Sequence, residues 1–203
     1  KFRGRKGSWE RAINALDLVQ KAGMSPYLNI TVGRYNAQSE DVKMLLDYSK
    51  QKKYTTLLNV ATPGGMWAKM TDIMVNEEDK AHLINMRKKY KNILRNLWNP
   101  FDKAREEVLG CNTVNRMYIT PAGDVLVCPY VHIKIGNVKE QSLREISEKG
   151  FSIKHFRDYS SKCLAGEDKD FVTKFMSTEG TTIFNPVNAD DIFGPSDFVT
   201  SKN

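Results

Sequence analysis

Residues 111–128 read CNTVNRMYITPAGDVLVC, and Pro129 follows at once. Two strand-forming stretches, 117–120 and 125–127, flank the turn Pro121-Ala122-Gly123-Asp124, which is the composition of a β-hairpin. Nothing else in the chain limits the fold as much. A hairpin brings its two flanks together, and both flanks here end in a cysteine. The only other cysteine is Cys163. An odd count, behind an N-terminus (KFRGRKGSWERA) with no apolar secretory stretch, argues against a disulfide framework. Buried structural thiols, a zinc site and an iron–sulfur site all remain open.

The pattern before residue 100 is different. Ser8 is placed to cap a helix from Trp9 to Lys21, with Ala12, Ile13, Leu16 and Val19 at helical spacing and Gly23 ending it. PYLNITV (26–32) and YTTLLNV (54–60) read as strands. Between them Ser39 caps a helix that begins Glu40-Asp41 and carries Val42, Leu45, Leu46 and Tyr48. A third helix starts at an Asn76 cap with Glu77, Glu78 and Asp79 in its first turn. Its expected apolar stripe is Leu83, Met86, Tyr90, Ile93, Leu94 and Leu97, with Pro100 as the stop. Alternating helices and strands imply a parallel sheet, an α/β arrangement. His82 on the third helix has no partner histidine at four-residue spacing and reads as a surface residue.

After Pro100 come the hairpin, a turn at Gly136-Asn137, a helix from about Ser142 to Glu148, and Gly150. From Glu179 onward Gly, Pro, Asn and Asp dominate, and the expectation is an irregular tail packed on the surface through Phe184, Phe193 and Phe198. The domains expected are therefore 1–99, 100–178 and the tail 179–203. Residues 1–99 hold 18 Lys/Arg against 9 Asp/Glu, while 100–203 hold 13 against 15. The basic runs sit at helix ends and lack any nucleic-acid-binding motif, so solvated helix faces are expected and no nucleic-acid partner. No apolar run approaches the ~18–20 residues of a membrane helix.

The wording around the cysteines resembles a known family. Cys111-x11-Gly123-x4-Cys128-Pro129, then IGNVKEQSLREI and Cys163, is similar to the C-terminal SPASM or twitch region of radical S-adenosylmethionine enzymes, over about residues 111–165. The family motif C-x(9–15)-G-x4-C is met at each fixed position, and YITPAGDVLVCP is similar to its I-T-P-x-G-D-V-x-x-C-P. The first half resembles the second half of that family's partial (β/α)6 TIM-like barrel, with 26–32 and 54–60 as its fifth and sixth strands. The implied fold is this half-barrel followed by a small α+β twitch/SPASM domain. The resemblance implies an auxiliary 4Fe–4S cluster on Cys111, Cys128 and Cys163. Asn29, Asn36, Thr62 and Gly64, at strand ends and the loops after them, are the candidate cofactor-side residues.

Two departures shape the expectation. The CxxxCxxC motif that binds the S-adenosylmethionine-cleaving cluster is absent, and there is no initiator Met. The chain is therefore expected to be the C-terminal portion of a parent enzyme, inactive alone. The parent would carry S-adenosylmethionine and a second 4Fe–4S cluster. It would abstract hydrogen from a substrate through a 5′-deoxyadenosyl radical, fed by a reductase electron donor, in the cytoplasm. The substrate class (peptide, protein side chain, sugar or nucleotide) is not selected. The second departure is the ligand count. The late cysteine pair is reduced to Cys163-Leu164-Ala165-Gly166, with glycine where a fourth cysteine would stand. Glu167 and Asp168 are the nearest carboxylates, though a solvated loop is the simpler reading for both. His132 opens a Cys3His zinc alternative, and His155 reads as a surface residue. A metal-stabilised peptide-binding module without catalysis is the competing function.

Overall fold

The computed structural model describes residues 6–95, 111, 113–157, 160, 162–176 and 180–199. Helix α1 (Ser8–Lys21) precedes three parallel strands, β1 (Tyr27–Val32), β2 (Thr55–Val60) and β3 (Ile93–Arg95), hydrogen-bonded in that order. Parallel neighbours need crossover connections, and α2 (Glu40–Lys52) and α3 (Glu77–Lys89) lie in them. Ile30, Val32 and Leu58 of the sheet share one apolar core with Leu46 of α2 and Leu83 of α3. Both helices start where their cap residues stand. Ser39 accepts from the Val42 amide, and Asn76 and Asp79 form a reciprocal capping box. The architecture is mixed α/β, and no barrel closes among the described residues.

Three expectations for this half change. Ser8 is the first helical residue of α1, preceded by Gly7 at φ 74° without a side-chain cap, and α1 buries none of its residues. Tyr54 precedes β2 and is itself buried, its hydroxyl donating to Gln20 at 3.1 Å. The third helix stops at Lys89. Tyr90 is buried with its hydroxyl donating to Asp47 at 2.6 Å, and the Asn92 amide donates to Ser49 Oγ and to the Tyr54 carbonyl. These bonds pull the chain off the helical path, and Ile93 joins the sheet beside β2. A short Ile/Leu run fits a buried strand as well as a helix stripe, which is why periodicity alone misplaced it. Leu97, Pro100 and the expected boundary at residues 99/100 lie outside the described residues.

The second sheet has the order β4 (Tyr118–Ile119), β5 (Asp124–Leu126), β6 (Ile133–Asn137), β7 (Val187–Asn188); the first two pairings are antiparallel and the last parallel. Helices α4 (Leu143–Ser152), α5 (Lys154–Arg157), α6 (Lys169–Phe175) and α7 (Ala189–Ile192) accompany it. Ser142 and Glu145 cap α4 reciprocally. This helix runs past the expected Glu148 because Gly150 is an internal packing position. A Cβ there would lie 2.9 Å from the side chains of Val114 and Ile135.

The last segment is not an irregular tail. Val187 donates its amide to His132 O at 3.1 Å, starting β7, and Val199 donates to Ser152 O at 2.7 Å. Phe193 is buried in the second core, Phe198 packs against it, and Phe184 alone of the three stands in solvent. His155 likewise leaves the surface role. It stacks among Phe171, Phe175 and Phe193, with Nε2 3.3 Å from Asp197. No helix among the described residues is long and apolar enough to cross a membrane.

A residue buried among aromatic rings loses far more on truncation than one at 84% exposure. Phe193→Ala is expected to cost about 3–5 kcal/mol of folding stability by urea titration, and Phe184→Ala less than ~0.5 kcal/mol. Equal effects would remove the tail from the core.

Candidate metal centre

The hairpin brings its flanks together as the turn chemistry requires. Gly123 sits at φ 91° and donates to Thr120 O at 2.9 Å, and a Cβ on it would lie 2.7 Å from Asn137 Oδ1. Beyond the strands, Val114 donates its amide to Val127 O at 3.1 Å, one residue before Cys128. Cys111 itself donates to Ser160 O at 2.8 Å, three residues before Cys163. The backbone around Cys111 is thus stapled to the two segments that carry the other cysteines. Val114 takes φ 65°, a region a β-branched residue rarely occupies, and its burial against Gly150 holds it there.

All three thiols meet in the second apolar core. Cys111 and Cys163 are buried within it and Cys128 packs on it, partly buried. Burial pushes the Cys128 thiol up to about 11, with the nearby Cys111 adding to the rise; the backbone N–H groups of Tyr130 and Val131, just after it, oppose the shift. Burial raises Cys163 well above the usual thiol range, and Cys111, Cys128 and Glu167 push in the same direction, while the backbone N–H of Gly166, which donates to the Cys163 carbonyl at 3.1 Å, opposes them. Cys128 and Cys163, buried in an apolar setting beside other sulfurs, are poor thiolates unless a cation or several N–H donors receive the negative charge. The amides at Tyr130, Val131 and Gly166 are such donors. Pro129, which has no amide, leaves Tyr130 as the first donor after Cys128. This donor chemistry fits an iron–sulfur cluster.

A single-ion site is a different matter. Among the described residues no group of three His, Cys, Asp or Glu is gathered so as to hold one metal ion. His132 Nε2 lies 3.2 Å from the Pro129 carbonyl. The Cys3His zinc arrangement therefore has no assembled donor set.

The loop after Cys163 corrects the solvated reading of Glu167 and gives Asp168, half-buried, a capping role. Asp168 caps α6, accepting from the Phe171 amide at 2.9 Å. Glu167 has a side chain only 4% exposed, with Oε2 accepting from the Cys163 amide at 2.6 Å and Oε1 3.6 Å from Lys80 Nζ on α3. Gly166 is pressed against the parallel sheet. A Cβ there would lie 2.5 Å from Val60 Cγ2 and 3.5 Å from Thr62 Cγ2. A cysteine at position 166 would collide with the end of β2.

The four cofactor-side candidates do not form one cluster. Thr62 lies against the Gly166 loop, beside the cysteines' core. The backbone at Gly64 faces open space. Asn29 lies on the exposed face of β1 and accepts from Asn59. Asn36 closes its own loop, accepting from the Gly33 amide at 2.8 Å and donating to Thr31 O at 3.1 Å. Sequence reasoning missed Lys80. Its signal was its position three residues before Leu83, on the buried face of α3.

Comparison with known families supports the region around the cysteines. Residues 111–167, from Cys111 to Glu167, match the family model for the SPASM iron–sulfur cluster-binding domain. This covers well under half of the chain. No curated protein and no solved structure matches it.

The contact between Gly166 and Val60 yields a direct test. Gly166→Ala is expected to lower stability by about 1–3 kcal/mol through overpacking, and adding Val60→Ala should recover part of that loss in a double-mutant cycle. Strict additivity by urea titration would show that the two positions do not touch.

Proposed function

We propose that Cys111, Cys128 and Cys163 hold an auxiliary [4Fe–4S] cluster and that this chain is the C-terminal portion of a radical S-adenosylmethionine enzyme. The observation that carries the first part is the backbone stapling of Cys111 to the segments of both other cysteines, which gathers all three in one apolar core. The SPASM match over the same residues supports it. The second part rests on the resemblance of residues 1–99, together with three parallel strands and their crossover helices.

When bound, such a cluster supplies one-electron transfer, and an iron without a cysteine ligand adds a site for a substrate donor atom. The chain's own residues do the rest. The amides of Tyr130, Val131 and Gly166 stabilise the thiolates. The apolar core around Cys163 keeps water from them. Gly166 leaves the thiolate set at three and brings its loop against Val60 and Thr62, at the C-terminal end of the parallel sheet. Active-site groups of parallel α/β folds gather at that end. Thr62 and Gly64 are therefore the residues proposed to face the substrate or S-adenosylmethionine, between the sheet and the cysteine domain. Asn36 shapes the loop beside them, and Asn29 is left on the open sheet face. The electron donor would be a reductase docking on the parent enzyme.

Anaerobic reconstitution with iron and sulfide is expected to give about four irons per chain, as a [4Fe–4S] centre requires. Each of Cys111→Ala, Cys128→Ala and Cys163→Ala should lose or destabilise the centre. Full iron content in any variant would remove that cysteine from the ligand set. Stoichiometric zinc without iron would favour the binding-module reading instead. The coding sequence upstream of Lys1 in the parent gene is expected to contain CxxxCxxC.

A further inference from the structure

The loop that carries Cys163 is gripped from both sides by one turn of a helix in the other core. Lys162, immediately before the cysteine, lies 3.8 Å from Glu77. Glu167, four residues after it, lies 3.6 Å from Lys80. Both partners belong to the first turns of α3, and the two pairs have opposite polarity, so the loop can seat on the helix in only one direction. The pairs differ in burial. Lys162 and Glu77 are exposed, and salt and solvent weaken such a pair. The Lys80 and Glu167 side chains are only 11% and 4% exposed. A buried pair of this kind contributes little net stability, because desolvation offsets the attraction, but removing one partner leaves the other's charge buried.

The helix turn that supplies Lys80 is itself fixed. Asp79, fully buried, accepts from Arg34 at 2.9 Å and from Gln38 at 2.8 Å, and closes the capping box with Asn76. Arg34 and Gln38 belong to the loop after β1. A continuous set of contacts thus runs from that loop through Asp79 and α3 to Lys80, Glu167 and the Cys163 amide.

We infer that Glu167 is a positioning residue of the cysteine centre, its carboxylate fixing the Cys163 loop through the Cys163 amide while Lys80 balances its charge beside the cluster. This rests on the reading that the three cysteines hold an iron–sulfur cluster. Glu167 is thereby used as an amide acceptor and counter-charge rather than as a cluster ligand. Charges and hydrogen bonds around such a cluster set its reduction potential, because reduction adds negative charge that a nearby cation stabilises and a nearby anion opposes.

The test is a potentiometric titration of the reconstituted chain, followed by the electron paramagnetic resonance signal of the reduced cluster. Glu167→Gln keeps an oxygen for the Cys163 amide and removes the negative charge. Its potential is expected to move positive with iron content retained. Lys80→Met with Glu167→Gln removes both charges, and the potential should return towards that of the wild type. An unchanged potential in loaded Glu167→Gln overturns the inference, as does a double variant displaced further than the single one. Either result would leave the cluster reading intact. A wild-type chain that takes up no iron overturns the cluster reading and this inference with it. Should Glu167→Gln fail to fold, Lys80→Met carries the test by removing the positive charge of the pair. A negative shift supports the inference and an unchanged potential overturns it.

Discussion

Two backbone hydrogen bonds around Cys111 organise the second half of the molecule. One joins Val114 to Val127, and the other joins Cys111 to Ser160. Without them the three cysteines would lie on a hairpin flank, a turn and a distant loop. With them, the thiols enter one apolar core, and the rest of the domain is arranged to keep that core closed. Gly150 lets α4 lie against Val114, and Val114 is held at a positive φ by the same contact. The C-terminal segment adds β7 and Phe193 to the same core. Burial that is favourable for the aromatic and aliphatic side chains is unfavourable for a thiolate. The donors at Tyr130, Val131 and Gly166 are the local answer to that conflict.

The two cores are joined at the cysteine loop. Val60 packs against both, and Gly166 has no side chain because Val60 occupies the space. The missing fourth cysteine thus has a steric account. The position nearest to it in sequence is where the loop touches the parallel sheet. On the reading proposed above, the open corner of the cluster and the C-terminal end of the sheet would share one space, where a substrate would be held.

Much of this was legible in the sequence because it depends on local chemistry. Gly123 marks its turn through a positive φ, and Ser39, Asn76 and Ser142 mark helix starts through side-chain oxygens. The cysteine spacing and the wording around it pointed to the region that the SPASM model covers. What stayed hidden depends on partners far away in the chain. Ile93 became a strand because Tyr90 and Asn92 bond to residues on and after α2. The Gly- and Pro-rich segment after residue 179 joined the core because β6 offered an edge. Glu167 looked like a loop carboxylate, since nothing near it in sequence reveals that Lys80 waits 3.6 Å away.

On the reading proposed above, three cysteines holding a four-iron centre would leave one iron unlike the others. Mössbauer spectroscopy of the chain reconstituted anaerobically with iron-57 reads this directly. The expected result is a cubane spectrum that needs a distinct component for about a quarter of the iron, one site in four. Four equivalent thiolate-ligated irons, or iron bound only as isolated ions, would contradict it.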